Sequence, residues 1–169
     1  MDIYLSCGLT HVPRELFHEY CNYIHLIAHK LYKKGHLIKY ALVDSDPQLA
    51  RKQEDEKALL CYLWDRKMVE MADVLIAEAS FPSIGLGIEL QVAENKDIPV
   101  ILCYKDFGLN RALPVKYENP NSESNDLQIG EGYISLMALG LPNIYKIVKY
   151  VDFESGSSEI LSLVETLRK

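Results

Sequence analysis

The stretch that decides the fold is residues 72–95, which read ADVLIAEASFPSIGLGIELQVAEN. The first part, 72–79, is short and mostly apolar, as expected for a strand that is covered on both faces of a parallel sheet. A loop of small residues follows at 80–87, and a helix is predicted from Ile88 to Asn95. A strand, a turn and a helix in this order form the repeating unit of an α/β fold.

The same alternation extends to both sides of this stretch. Apolar residues recur at helical spacing between Arg14 and Lys34, and turn residues occupy 44–47. The predicted strands are 3–7, 36–43, 72–79, 98–104 and 144–151. The predicted helices are 14–34, 48–71, 88–95, 131–139 and a last one that Ser157 or Ser158 caps and that reaches Leu167. This order predicts a Rossmann-like (flavodoxin-like) three-layer α/β fold, in which a five-stranded parallel sheet carries helices on both faces and binds ligands beyond the carboxyl ends of its strands.

The length and composition limit the classes of protein that fit. The 169 residues suit one domain, 1–169, with a mobile loop predicted at 116–130. A net charge of −6 argues against a surface that binds long nucleic acids. No apolar run reaches the roughly 20 residues of a membrane span, so no membrane partner is expected. Four separated cysteines and the absence of a signal-like start favour a cytoplasmic location.

The loop and helix start at 80–89 carry the main candidate site. Gly85 and Gly87 let the backbone approach a ligand closely, and Ser83 adds a hydroxyl, so a phosphate or a sugar hydroxyl can bind there. Glu89 is predicted in the first helical turn, where the helix dipole favours the ionised carboxylate by about 0.3 to 1 kcal/mol. Such a carboxylate can attack a sugar or stabilise a sugar cation. The alternative is a tight turn with Glu89 as an ordinary surface residue.

Two further carboxyl groups lie near this stretch. Asp65 precedes the strand by about two helical turns and can serve as a general acid toward a leaving base. Alternatively, it pairs with Arg66 or Lys67 on a solvated helix face. Glu78, at the end of the strand, either orients a ligand or pairs at the sheet edge.

Three histidines lie on one side of the first helix. His18, His25 and His29 are close together at 100° per residue, but they lie opposite its apolar arc. A metal site needs a further ligand and supporting groups, which the sequence does not show. A polar, solvated face is the favoured interpretation, and neither a metal nor a cofactor is expected.

Residues 64–104 resemble a known family. The pattern D-x-x-x-x-x-x-A-D-V-L-I-A-E-A-S, followed by P-S-x-G-x-G-x-E-L and an apolar strand, is similar to the nucleoside 2-deoxyribosyltransferase superfamily, and within it to the 2'-deoxynucleoside 5'-monophosphate N-glycosidase (N-hydrolase) branch. The resemblance implies that Glu89 attacks C1' of the sugar to give a glycosyl-enzyme intermediate, which water resolves. It also implies that Asp65 assists departure of the base and that Tyr4 lies beside Glu89.

The resemblance further implies how a nucleotide is held. Ser83, Gly85 and Gly87 match positions that bind the 5'-phosphate, and a homodimer is implied in which Ser135 of the partner subunit completes the phosphate pocket. The first loop departs from the family, where a Gly-Ser pair is joined by a phosphate-binding Arg, because residues 7–11 read CGLTH. Gly8, Thr10 and His11 can still donate hydrogen bonds there, but the need for a 5'-phosphate stays open.

The expected function is hydrolysis of the N-glycosidic bond of a (2'-deoxy)nucleoside 5'-monophosphate, which releases a free base and a sugar phosphate. Transfer of the sugar to a second base uses the same intermediate and is the close alternative. A nucleotide-binding sensor without turnover is the alternative from another class, although a pure binder has no need of an attacking Glu. The sequence leaves the base, and the choice between ribose and deoxyribose, undecided.

Overall fold

The structure is a computed structural model that describes residues 1–168. The strands are β1 (Asp2–Cys7), β2 (Leu37–Lys39), β3 (Val74–Glu78), β4 (Val100–Lys105), β5 (Lys116–Glu118), β6 (Ser124–Asp126) and β7 (Ile144–Tyr150). The helices are α1 (Arg14–Lys33), α2 (Ala41–Asp44), α3 (Asp46–Leu49), α4 (Glu54–Glu70), α5 (Ile84–Glu94), α6 (Leu136–Leu139) and α7 (Phe153–Leu167). Across residues 1–168, every helix is too short or too polar to traverse a bilayer.

Five strands form one parallel sheet in the order β2-β1-β3-β4-β7. Its central strand β3 is buried along its whole length, which agrees with the apolar run at 72–79. Apolar side chains of α1 and α7 pack on one face of the sheet, and those of α4 and α5 pack on the other. The predicted three-layer α/β fold is therefore confirmed.

The strand order indicates where a ligand is expected to bind, at the carboxyl ends of β1 and β3. The chain runs outward from β1 to β2, and then returns to β3 on the other side of β1. Ligands in open α/β sheets bind where the strand order reverses, beyond the carboxyl ends of the strands. Here those ends are Cys7 of β1 and Glu78 of β3, which lie opposite each other in the sheet.

The second predicted strand, 36–43, is too long. Only Leu37–Lys39 pair with β1, and the chain then turns into α2. The Tyr40 backbone N–H donates a hydrogen bond of 2.8 Å to the Asp44 carboxylate, which stabilises that helical turn. An edge strand has one neighbour only, so a short local helix competes with it easily.

The predicted helix 48–71 is also wrong in its first part. Residues Asp46–Leu49 form the separate helix α3, and α4 begins only at Glu54. Three acidic residues, 54–56, occupy the first turn of α4, where they interact favourably with the helix dipole. The charged stretch therefore marks the start of a helix and not its interior.

The segment predicted as a mobile loop, 116–130, contains a two-stranded antiparallel ribbon of β5 and β6. Ser122 takes a positive φ of 65° at its turn. The helix predicted at 131–139 is reduced to α6, because the Ser135 side chain caps it. The last helix begins at Phe153, because Asp152 is its N-cap. The predicted caps, Ser157 and Ser158, lie inside the helix, where Ser157 is buried.

Candidate active site

Helix α5 begins four residues earlier than predicted. Ser83 is its N-cap, and the Ser83 hydroxyl oxygen accepts a hydrogen bond of 3.2 Å from the Leu86 N–H. Serine is among the best N-cap residues, and its preference outweighs the two glycines that now lie inside the helix. Glu89 consequently stands in the second helical turn, so the prediction that it lies in the first turn is wrong.

The Glu89 carboxyl group is held by two residues of β1. The Tyr4 hydroxyl donates to Glu89 Oε1 at 2.7 Å, and the Ser6 hydroxyl donates to Glu89 Oε2. Residues two apart on a strand point to the same face, so β1 presents both donors to α5. The carboxyl group therefore has a defined orientation against the carboxyl-terminal part of β1. Ser6 was missed in the sequence, although the alternation of β1 places it on the same face as Tyr4.

Burial dominates the acidity of Glu89. The pKa of Glu89 is raised to about 7, and burial is the largest cause of this rise. The hydrogen bonds from Ser6 and Tyr4 lower the pKa, and the neighbouring Asp65 adds a smaller rise. The predicted stabilisation of the ionised form by the helix dipole does not outweigh burial, since the pKa of Glu89 lies above its ordinary value. Burial also raises the pKa of Tyr4, which keeps its phenol protonated and able to donate.

Asp65 lies on the inner side of α4. The Cys61 thiol donates a hydrogen bond of 3.3 Å to Asp65 Oδ2, whereas Asp65 Oδ1 is buried and has no hydrogen-bond partner among residues 1–168. Burial raises the pKa of Asp65. Arg66 pairs with Glu70 at 2.9 Å, and no ion pair joins Asp65 to Arg66 or Lys67 within residues 1–168, so the alternative of such a pair on a solvated face is wrong.

One cavity of about 440 Å³ brings most of the predicted residues together. The predicted residues that line it are Tyr4, Asp65, Ser83, Gly85 and Glu89. Its wall also includes Arg14, Thr10, Asp46 and Cys61. The cavity opens where the topology places ligands, beyond the end of β1.

Arg14, in the cavity wall, is a second residue that was not predicted from the sequence. It is the first residue of α1, follows Pro13 and lies over the Phe17 ring at 5.5 Å. The first loop, 7–11, where the resemblance places a phosphate-binding Arg, contains no Arg. The usable signal was a cationic side chain in the first turn of the helix that follows β1, since that turn also faces the carboxyl edge of the sheet.

Three predicted binding residues lie outside the cavity wall. At Gly8, an added Cβ would be 2.8 Å from the Phe81 carbonyl oxygen, so this glycine lets the β1–α1 loop pack against the β3–α5 loop. Gly87 and Ser135 line a neighbouring cavity of about 420 Å³. The two cavities share Ser83, so they are adjacent.

His18, His25 and His29, the histidines of α1, lie away from the cavity wall. His25 Nδ1 lies 2.9 Å from the Tyr40 hydroxyl, on the surface. In the described part of the chain, no three His, Cys, Asp or Glu side chains are grouped to hold a metal ion. All four cysteines are free.

The chain is similar to known proteins in part of its sequence and in its fold. It is 44% identical, over 63 residues, to a protein of Syntrophotalea carbinolica named "Putative 2'-deoxynucleoside 5'-phosphate N-hydrolase 1"; the match covers 37% of this chain and 44% of that relative. The chain thus spans less than half the length of the relative. The sequence matches no protein-family model.

Two solved structures share the fold over nearly the whole chain. One is a CMP N-glycosidase from Clostridium botulinum, with a TM-score of 0.55, 17% identity and coverage of 97% of both chains. The other is a conserved protein from Enterococcus faecalis V583, with a TM-score of 0.57, 19% identity and coverage of 95% of this chain and 97% of that one. The partial sequence match confirms the predicted resemblance to the 2'-deoxynucleoside 5'-monophosphate N-hydrolases over those 63 residues, and the two solved structures show the same fold over nearly the whole chain.

Proposed function

We propose that the chain hydrolyses the N-glycosidic bond of a nucleoside 5'-monophosphate through a glycosyl-enzyme intermediate on Glu89. The single observation that carries this proposal is the placement of Glu89, held by Tyr4 and Ser6, in the same cavity as Asp65. A retaining glycosidase needs two carboxyl groups, one as the nucleophile and one as the general acid and base. The name of the partial sequence relative, an N-hydrolase, supports the same reaction.

In the first step the ionised Glu89 attacks C1' of the sugar. The bond from C1' to the base nitrogen breaks, and its electron pair leaves with the base. An ester forms between C1' and the carboxyl group of Glu89. The Tyr4 and Ser6 hydroxyls each occupy one carboxylate oxygen, so they orient the nucleophile before the substrate arrives.

Asp65 is the proposed proton carrier. Burial raises its pKa, so Asp65 carries a proton over a wider pH range than an exposed aspartate, and this protonated form is the one that acts as the general acid. It donates this proton to the departing base. In the second step the ionised Asp65 takes a proton from water, whose oxygen attacks C1' and releases Glu89. The sum of both steps consumes one water and yields a free base and a sugar phosphate.

Arg14, Ser83 and Gly85 are the proposed contacts of the 5'-phosphate. They line the cavity that holds Glu89. No ion pair involves Arg14 in the part of the chain that the structure describes, so its guanidinium is available to an anion. We therefore propose that Arg14 supplies the phosphate-binding positive charge that the first loop, 7–11, lacks.

A homodimer is proposed with the same site. Ile84 of α5 and Met137 of α6 are 82% and 87% exposed, and Ile88 is 47% exposed. Apolar side chains so exposed, close to two cavities, are typical of surfaces that contact another chain. Ser135 lies next to Met137 and is the residue proposed to reach the partner's phosphate pocket.

The test is a screen for base release. The common ribo- and deoxyribonucleoside 5'-monophosphates, CMP among them because a fold neighbour is a CMP N-glycosidase, are incubated with the protein, and free base is measured by chromatography. The proposal expects release from at least one nucleotide, and a loss of about a thousandfold or more in Glu89→Gln. The exposed Glu159→Gln is the matched control and should keep full activity.

The same screen separates the alternatives. A new nucleoside formed when a second base is added would show transfer in place of hydrolysis. Tight nucleotide binding by calorimetry, with no product after long incubation, would show a sensor. Undiminished base release by Glu89→Gln would remove the proposed mechanism.

A further inference from the structure

Glu78 is a buried carboxyl group that the proposed mechanism does not use. It is fully buried at the end of β3, the central strand of the sheet. Val74 and Ile76, which alternate along β3 on the same face as Glu78, pack with α1 and α7, whereas Leu75 and Ala77 share a cluster with Tyr4. Glu78 therefore points to the face opposite Glu89, and it does not line the cavity.

The contacts of Glu78 are hydrogen bonds and not ion pairs. Glu78 Oε1 accepts a hydrogen bond of 2.8 Å from the Tyr150 hydroxyl and another from the Ser80 hydroxyl. Glu78 Oε2 is buried and has no hydrogen-bond partner, and no cation pairs with this residue among residues 1–168. An ionised carboxylate in such surroundings is costly, so its contribution comes from shape and hydrogen bonding.

Ser80 connects Glu78 to the neighbouring strand. Its hydroxyl oxygen accepts a hydrogen bond of 2.9 Å from the Lys105 N–H at the end of β4. Its carbonyl oxygen accepts one of 2.8 Å from Asn110 Nδ2, which also donates to the Lys105 carbonyl oxygen at 2.8 Å. The Glu78 side chain thus connects the end of β3 to β4 through Ser80 and to β7 through Tyr150.

The same turn leads into α5, the helix that contains the proposed nucleophile Glu89. Only two residues separate Ser80 from Ser83, the N-cap of α5, and one of them, Phe81, is buried against Gly8. The direction in which the chain leaves Ser80 therefore sets the position of α5, and α5 holds Glu89 against Tyr4.

We propose that Glu78 is a positioning residue for Glu89, which acts through the Ser80–Ser83 turn by hydrogen bonding and without need of its charge. This inference rests on the proposed function for its kinetic readout. A displacement of about 1 Å at a reacting group can cost about a hundredfold in rate. A carboxyl group one methylene shorter cannot reach both hydroxyls from the same backbone position, so the turn has to move.

The test compares Glu78→Asp with Glu78→Gln, and uses Glu159→Asp, on the exposed face of α7, as the matched control. Circular dichroism first establishes the folded fraction of each variant. For folded Glu78→Asp we expect kcat to fall about tenfold to a hundredfold with KM within about twofold of wild type. Glu78→Gln keeps the length and both acceptor contacts, so it should restore kcat to within about threefold of wild type.

A second readout does not depend on activity. The titration of the Glu89 carboxyl carbon, followed by NMR, should move away from the wild-type midpoint in Glu78→Asp and stay near it in Glu78→Gln. If wild type releases no base, the proposed function fails and this titration alone decides the role of Glu78. Equal kcat and an equal Glu89 midpoint in folded Glu78→Asp would overturn the inference. A Glu78→Gln variant as impaired as Glu78→Asp would also overturn it. The same holds for a loss of kcat that only follows the unfolded fraction of Glu78→Asp.

Discussion

At the scale of single residues, the competition between burial and hydrogen bonding at Glu89 controls the pH dependence. The nucleophile must be ionised, and burial raises its pKa to about 7. We therefore expect kcat/KM to rise with pH through a midpoint near 7 in the free enzyme. The Ser6 hydrogen bond lowers this pKa, so Ser6→Ala should move the midpoint upward. Ser162→Ala, on α7, is the control and should leave it unchanged; a midpoint near 4.5 in wild type would contradict this account.

The same carboxyl group should make the free protein less stable at high pH. The pKa of Glu89 is near 4.5 when unfolded and about 7 when folded. A raised folded pKa means that stability is lost as pH rises from the unfolded toward the folded value. The loss is on the order of 3 kcal/mol. Glu89→Gln, which stays neutral, should therefore raise the melting temperature at pH 8 and change it little at pH 5. Equal effects at both pH values would exclude this explanation.

At the scale of secondary-structure elements, Gly8 and Gly87 should respond oppositely to the same change. Gly8→Ala places a Cβ 2.8 Å from the Phe81 carbonyl oxygen, so the turn before α5 must shift and stability should fall. Gly87 lies inside α5 with no atom within 4 Å of an added Cβ, so Gly87→Ala should stabilise the helix by about 0.5–1 kcal/mol. Urea denaturation measures both. A destabilised Gly87→Ala would show that the space beside α5 is occupied.

The elements also show what the sequence predicted and where it failed. The apolar run at 72–79 and the alternation of strands and helices were sufficient to predict the sheet, because buried parallel strands have a distinctive composition. The family resemblance of residues 64–104, and not the alternation, implied that Tyr4 lies beside Glu89 and that Asp65 acts in the same site. The predicted start of α5 was four residues too late, because Gly85 and Gly87 have low helix propensity whereas the Ser83 cap starts the helix before them. The partners Ser6 and Arg14 were missed because neither contact is local in sequence, and only the fold brings them to the cavity.

At the scale of the whole molecule, the proposed dimer can be tested by mixing inactive variants. If Ser135 acts across the interface, Ser135→Ala and Glu89→Gln should each lower activity. Their mixture should regain activity at about a quarter of the sites, because a hybrid dimer combines one intact Glu89 with the other chain's Ser135. Sedimentation should give twice the mass of one chain, and Met137→Glu should reduce it to one. Mixtures that stay inactive would place Ser135 in its own subunit's site.

The most direct measurement of the central claim is the detection of the bond between Glu89 and the sugar. The protein is mixed with a nucleotide that it hydrolyses, quenched in acid within one turnover, digested and analysed by mass spectrometry. The account predicts a sugar-phosphate adduct on the peptide that contains Glu89, which disappears in Glu89→Gln together with base release. Rapid turnover with an unmodified Glu89 peptide, and continued base release by Glu89→Gln, would contradict it.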